Sequence, residues 1–312
     1  MEIEHELGRI APEKETFLTI GVFDGVHVGH RYLLGKLQQV ARSKAATSAV
    51  VTFTPHPQSV LHPSNPLPCL TDLQDRVERL RELGIDVVVV LSFTPQLAQL
   101  RAEEFMSLLK KHLKMRGIIV GPDFALGRNR EGNVDLLRSL GEKMDFVVEV
   151  ISPFTLNGEV VSSTLIRQAL ALGRVDKVKA LMGRYFSLEG KVITSDKRGR
   201  ALGFPTANLE AKPSLALPGH GIYATFTHVN GKKFLSATNI GVRPTFGEGK
   251  KLIETHLMDY SGDLYRKEIK VEFVKKLRDE QKFASIADLK TQIERDIREA
   301  RAILARELDG EH

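Results

Sequence analysis

Between residues 17 and 151 short β-rich runs alternate with longer helical patterns, and after Tyr185 that alternation stops. The runs "FLTIGVF", "SAVVTFT", "IDVVVVLSF", "RGIIVG" and "FVVEVI" read as strands, with helices beginning near His30, Thr71, Ala102 and Val134 between them. Strands separated by helices predict a parallel sheet covered on both faces, an α/β architecture. Thr71 with Gln74 reads as a capping box ahead of Leu73, Val77 and Leu80. Five prolines between 55 and 68 mark a loop without regular structure at the C-terminal end of the second strand, where doubly wound sheets bind ligands. Two short helices, in "SSTLIRQALALG" and "DKVKALMG", close this half.

The second half consists of short β-rich runs broken by glycine and proline: "FSLEGKVI", "GIYATFTHV", "KKFLSATNIG", "IETHLMDY" and "EIKVEFVKKL". Asn230-Gly231 is a strong hairpin signal, because a type I′ turn needs two positive φ angles. An antiparallel barrel or sandwich follows. A last helix is expected from Ser285 to about 307, its stripe Ile286, Leu289, Ile293 and Ile297 packing on the barrel. A chain of 312 residues suits two domains, placed here at 1–183 and 184–312.

Cys69 is the only cysteine, so no disulfide forms within the chain and no paired-cysteine zinc motif exists, which fits a reducing cytoplasm. The start "MEIEHELGRI" is acidic, unlike a secretory leader, and "VVVVL" at 87–91 is too short to span a bilayer. Lys and Arg number 45 against 39 Asp and Glu, a net +6 spread along the chain with only 6% aromatic residues. That balance suits anionic small ligands better than nucleic acid or a membrane.

The turn "GVFDGVHVGH", residues 21–30, follows the first strand and opens a helix. Free N–H groups at a helix start attract phosphate, and glycine allows close approach. His27 and His30 sit three apart and can donate to one anion, offsetting charge on a departing pyrophosphate. The bland alternative is a tight turn with two half-buried packing histidines, and a zinc site of His27, His30 and His56 is a third reading. No Gly-Lys pair has the P-loop frame. "GHGIYA" at 219–224 matches a dinucleotide fingerprint but precedes β-rich text, a false positive.

These motifs carry a resemblance. "GVFDGVHVGH", "TFTPHP" (52–57), "GPDFALGRNREGN" (121–133) and "SSTLIR" (162–167) are similar, in order, to the adenylyltransferase half of the bacterial bifunctional riboflavin kinase/FAD synthetases. The resemblance implies catalytic roles for His27 and His30 and ATP-phosphate binding by Gly21, Phe23, Asp24, Gly25, Gly29, Ser163, Thr164 and Arg167. Ser163 and Thr164 can also cap a helix start, and Arg167 can offer a bidentate fork. His56, Asp123 and Asn133 are implied near the flavin nucleotide or adenine, with turn formation as their plain alternative.

In the second half Thr206 and Asn208, two apart in "GRALGFPTANL", share a face if this is a strand, and together suit a hard cation. Glu254 is a carboxylate in an otherwise β-apolar run, able to accept an alcohol's proton. Without context both are ordinary turn and strand residues. "GRALGFPTANL", "GIYA", "NIGVRPTF" and "IETHLMDYSGDLY" resemble the riboflavin kinase module in order and spacing. That implies Thr206 and Asn208 as ligands of Mg²⁺, Glu254 as base, Gly199, Arg200 and Gly203 at ATP, and Arg278 at the flavin. Two departures from the family pattern stand out: Ser195 in the loop before this stretch and Arg266 after "DLY", both where glycine is usual.

The expected activity is phosphorylation of riboflavin to FMN by the C-terminal domain, then adenylylation of FMN to FAD by the N-terminal one, with ATP and Mg²⁺ at both sites. Alternatives are a nucleotidyltransferase for another substrate with a flavin-binding barrel, or a non-catalytic flavin- or RNA-binding regulator.

Overall fold

The computed structural model describes residues 2–193, 203–242 and 251–310. The chain divides into two compact units, Met1–Ser163 and Thr164–His312.

The first unit is built on five parallel strands in the order β3-β2-β1-β4-β7: β1 (Thr16–Ile20), β2 (Thr47–Thr54), β3 (Val87–Ser92), β4 (Met115–Val120) and β7 (Val147–Val150). Every residue of β1 is buried, as a central strand covered on both faces requires. Phe17 enters one core layer, with Leu34 and Leu37 of α2 (Val28–Ser43) and Leu80 of α4 (Leu73–Glu82). Leu18 enters the other, with Phe105 and Leu109 of α6 (Ala102–Leu113) and Leu137 of α7 (Val134–Met144). The second layer also takes Ile3 and Leu7 of α1 (Glu2–Gly8), a helix that two apolar residues alone do not announce.

Two local expectations change. Helix α4 is capped by Asp72, whose side chain accepts from Asp75 N–H at 2.9 Å, because the Thr71 hydroxyl is taken by the turn described below. The proline-rich stretch holds a short helix, α3 (Pro57–Leu61), since Pro57 falls in its first turn, where the missing N–H costs nothing. The unit also contains α5 (Pro95–Ala98) and two small ribbons, β5 (Ala125–Leu126) with β6 (Gly132–Asn133), and β8 (Thr155–Leu156) with β9 (Glu159–Val160).

The second unit carries α8 (Ser163–Ala171, from Thr164), α9 (Val175–Met182) and a closed antiparallel barrel of order β10-β11-β14-β13-β12-β15. Its strands are β10 (Phe186–Ile193), β11 (Ala207–Ala211), β12 (Gly221–Val229), β13 (Lys232–Val242), β14 (Lys251–Leu257) and β15 (Glu268–Arg278). Asn230 and Gly231 take φ of 48° and 75°, the hairpin geometry expected between β12 and β13. The "GHGIYA" stretch runs into β12, so no helix N-terminus follows it.

Strand alternation sends Thr225, Thr227, Ser236, Thr238 and Thr255 into the barrel, where all are fully buried and joined by hydroxyl contacts of 2.7–3.4 Å. The intervening Ala224, Phe226 and Ala237 face outward, against Ala300 and Leu304 of the terminal helix α10 (Ile286–Asp309, capped by Ser285). The expected stripe of this helix is shifted. Ile286 is 73% exposed, and contact is made by Ile297, Ala300 and Leu304 further on.

Candidate active sites

In the first unit β1 ends at Ile20 and α2 begins at Val28, so "GVFDGVH" forms the turn between them. Phe23, Gly25 and Val26 all have positive φ, at 53°, 85° and 39°. Such a backbone needs bracing. The Asp24 carboxylate, 2% exposed, accepts from Leu70 N–H at 2.9 Å and Thr71 N–H at 3.1 Å, and Gly25 N–H donates to the Thr71 hydroxyl at 3.1 Å. Arg76 donates to the Val22 and Phe53 carbonyls at 2.8 and 2.9 Å. Burial pushes its guanidinium below the ordinary value, and the Asp24 charge opposes that shift. Arg76 was legible in principle, as a charge within the apolar stripe Leu73, Val77 and Leu80.

His27 is the N-cap of α2. Its Nδ1 accepts from His30 N–H at 3.2 Å, so a neutral ring carries its proton on Nε2 and donates from that edge. The His27 and His30 rings stack at 3.6 Å, and Phe23 meets His30 edge-on at 5.1 Å. At Gly29 a Cβ would stand 3.1 Å from the Val161 carbonyl and 3.2 Å from the His27 ring, so glycine permits this close arrangement. The Ser163 hydroxyl donates to the Asp24 carbonyl at 2.9 Å. Because α8 starts at Ser163 itself, this serine and Thr164 lie in its first turn rather than at a cap, with Arg167 on the next turn.

A cleft of about 560 Å³ in the same unit is lined by Gly21, Phe53, His56, Phe93, Asp123 and Phe124 among others. Its aromatic walls suit a planar ring system. His56 caps α3, accepting from Gln58 N–H at 3.1 Å, and Asn133 caps α7, accepting from Leu136 N–H at 3.0 Å. The three histidines do not form a metal cluster. Among the described residues no group of three or more His, Cys, Asp or Glu is placed to hold an ion.

In the second unit Thr206 immediately precedes β11, and Asn208 lies within it. Asn208 stands directly opposite Glu254 of β14 in the strand register, so their side chains share the outward face. Asn208 is 1% exposed, and neither its amide oxygen nor its amide nitrogen has a hydrogen-bond partner among the described residues. Glu254 is half-buried. A cavity of about 760 Å³ in this unit is lined by Thr206, Thr255, Leu257, Tyr260, Asp263 and Tyr265, with others, but not by Asn208 or Glu254.

Arg266 has a φ of 64°, the left-handed region, at the position where glycine is usual. Its guanidinium lies 5.2 Å from the Tyr265 ring centre. Gly203 also has positive φ, at 89°. Arg278 ends β15 in the row of Ile222, yet its guanidinium is engaged by Asp296 of α10 at 2.7–3.1 Å. Ser195, Gly199 and Arg200, and the second half of "NIGVRPTF" from residue 243 on, lie outside the described residues.

Residues 10–165 match the FAD synthetase family and residues 182–304 the riboflavin kinase family. The bifunctional riboflavin kinase/FMN adenylyltransferase of Escherichia coli K12 is 40% identical over 294 residues, covering 94% of this chain and 93% of that protein. Its counterpart in Pseudomonas fluorescens is 38% identical over 308 residues, 98% of each chain, and that of Bacillus subtilis 35% over 294 residues, 92% of each. A solved Streptococcus pneumoniae structure described as a macrolide-efflux protein superposes with a TM-score of 0.87 at 28% identity, covering 95% of this chain and 96% of that one. Among the described residues no helix is long and apolar enough to cross a membrane. Two family matches in tandem, on a parallel-sheet unit and a closed barrel, with full-length relatives of the same order, show that this chain belongs to the bifunctional riboflavin kinase/FMN adenylyltransferase family.

Proposed function

We propose that the barrel phosphorylates riboflavin to FMN with ATP and that the parallel-sheet unit adenylylates FMN to FAD, the two activities dividing near 183/184. The observation that carries the reading is Asn208. A buried amide with neither end partnered, opposite a carboxylate and two residues from Thr206, suits a hard cation that keeps most of its waters and its substrate phosphates. The enzyme's divalent metal is read as Mg²⁺, held by Thr206 and Asn208. When bound it neutralises charge on the ATP phosphates.

In the kinase step the Glu254 carboxylate accepts the proton of the riboflavin 5′-hydroxyl as that oxygen attacks the γ-phosphorus. The bond to the β-phosphate oxygen breaks, and ADP leaves. In the second step an FMN phosphate oxygen attacks the α-phosphorus of ATP, and pyrophosphate departs. That nucleophile is already an anion, so no base is required. Positioning and charge stabilisation suffice, supplied by the α2 N-terminus, the Nε2–H edge of His27 and its stacked neighbour His30. Ser163, Thr164 and Arg167 are assigned to the same phosphates, and the cleft bearing His56 and Asp123 to the flavin. A single cysteine supports a reducing, cytoplasmic setting for this chemistry.

The test is product chromatography with riboflavin and Mg-ATP. Glu254→Gln lowers FMN formation by about 100-fold or more while still converting supplied FMN to FAD. His30→Ala lowers FAD formation by about 100-fold and accumulates FMN. Loss of the same single activity in both variants defeats the division of labour.

A further inference from the structure

The row that holds Asn208 and Glu254 continues onto a third strand. Asn239 of β13 stands opposite Glu254 from the other side, so the three side chains project from neighbouring strands on one face. Residues opposed in this way have Cα atoms roughly 4.5–5.5 Å apart. Asn239 is half-buried, and its amide oxygen is shielded from solvent with no hydrogen-bond donor among the described residues. A shielded acceptor without a donor is a standing cost that a ligand's donor removes.

Which ligand supplies that donor follows from the order of the row, on the reading proposed above. Thr206 and Asn208 take the cation and phosphates, and Glu254 takes the attacked alcohol. Asn239 lies beyond Glu254, on the side away from the phosphoryl donor. The group reaching it is therefore the remainder of the acceptor. Next to the reacting hydroxyl the acceptor is a polyol, a run of O–H groups that each can donate.

We infer that Asn239 Oδ1 accepts a hydrogen bond from a secondary hydroxyl of the flavin's ribityl chain, making Asn239 a specificity-determining residue for a polyol-bearing acceptor. Its backbone place is fixed by the β13–β14 register, and Ile222 of β12 flanks it on the other side. The row thus reads phosphate, alcohol, polyol across three strands.

The test compares kcat/KM for riboflavin, 4′-deoxyriboflavin and 3′-deoxyriboflavin in the full-length wild type, Asn239→Ala and the similarly shaped, acceptor-free Asn239→Leu. The wild type is expected to disfavour one deoxy analogue by about 10-fold or more. Both variants should lose about as much on riboflavin, leave that analogue unchanged and so bring its discrimination close to one, with KM for ATP unaltered. A circular-dichroism spectrum and melting transitions like those of the wild type verify that each variant is folded. Wild-type discrimination retained by a folded variant overturns the inference, as does an equal loss on all three acceptors accompanied by a raised KM for ATP. Absence of any FMN formation by the wild type overturns instead the reading on which the inference rests.

Discussion

The buried Asp24 carboxylate braces the turn between β1 and α2: it accepts N–H groups from Leu70 and Thr71 and so ties the turn to the stretch just before α4. Asp24→Ala leaves those N–H groups buried and unpaired, at a cost of about 3 kcal/mol. We expect an earlier melting transition and loss of FAD formation while FMN is still made; a variant that melts as wild type and fails only in its KM for ATP would instead make Asp24 a phosphate-side residue. The sequence shows Asp24 in a glycine-rich turn, where a role at the phosphates reads naturally. Its partners are 46 and 47 residues away, and no local pattern names them. Asn239 was invisible for a related reason. An asparagine in a β-rich run is ordinary, and it becomes informative only when a neighbouring strand brings Glu254 opposite it.

Helix α10 closes the second unit through polar clasps as well as its apolar stripe. Arg278 of β15 grips Asp296, and Glu307 accepts from Lys179 of α9 at 2.7 Å and from the Tyr185 hydroxyl at 2.5 Å. The Lys179 and Tyr185 hydrogen bonds hold the Glu307 carboxyl below its ordinary value. Burial pushes the Lys179 ammonium down, but its bonds to Glu307 and Tyr185 outweigh that and leave it raised. A depressed carboxyl contributes stability that is present above its unfolded pKa and lost as pH falls through the folded one. Glu307→Gln should therefore lower the denaturation midpoint at neutral pH by an amount equivalent to about 0.5–1 kcal/mol, given the partial exposure of the pair. The difference should fade on acidification below the usual carboxylate range, and a penalty that persists there argues for lost packing. The helix itself was legible from Ser285 and a 3.6-residue period. Where along its length it packs was not, because Ile286 continues the period past the end of the surface that Ile297, Ala300 and Leu304 meet.

Each unit has its own hydrophobic core and its own candidate site, which makes the two steps separable in the test tube. Mixing Glu254→Gln with His30→Ala should restore FAD synthesis from riboflavin, because FMN released by one chain serves the other. Chromatography that finds FMN but no FAD in the mixture would mean that the intermediate is handed on only within a chain. At this scale the order of architectures was legible, since period-two and period-3.6 patterns occupy different halves of the chain. The strand pattern by itself left barrel and sandwich open, because closure depends on which strands meet, β10 with β15 and β11 with β14. That closure carries one more consequence. The hydroxyls of Thr225, Thr227, Ser236, Thr238 and Thr255 satisfy one another only in the observed alignment of β12, β13 and β14. Sliding β13 by one residue would turn Asn239 inward and strand those hydroxyls without partners. The hidden interior thus works as a key cut for one position, and the outward chemistry inherits its accuracy from a lock that no substrate ever touches.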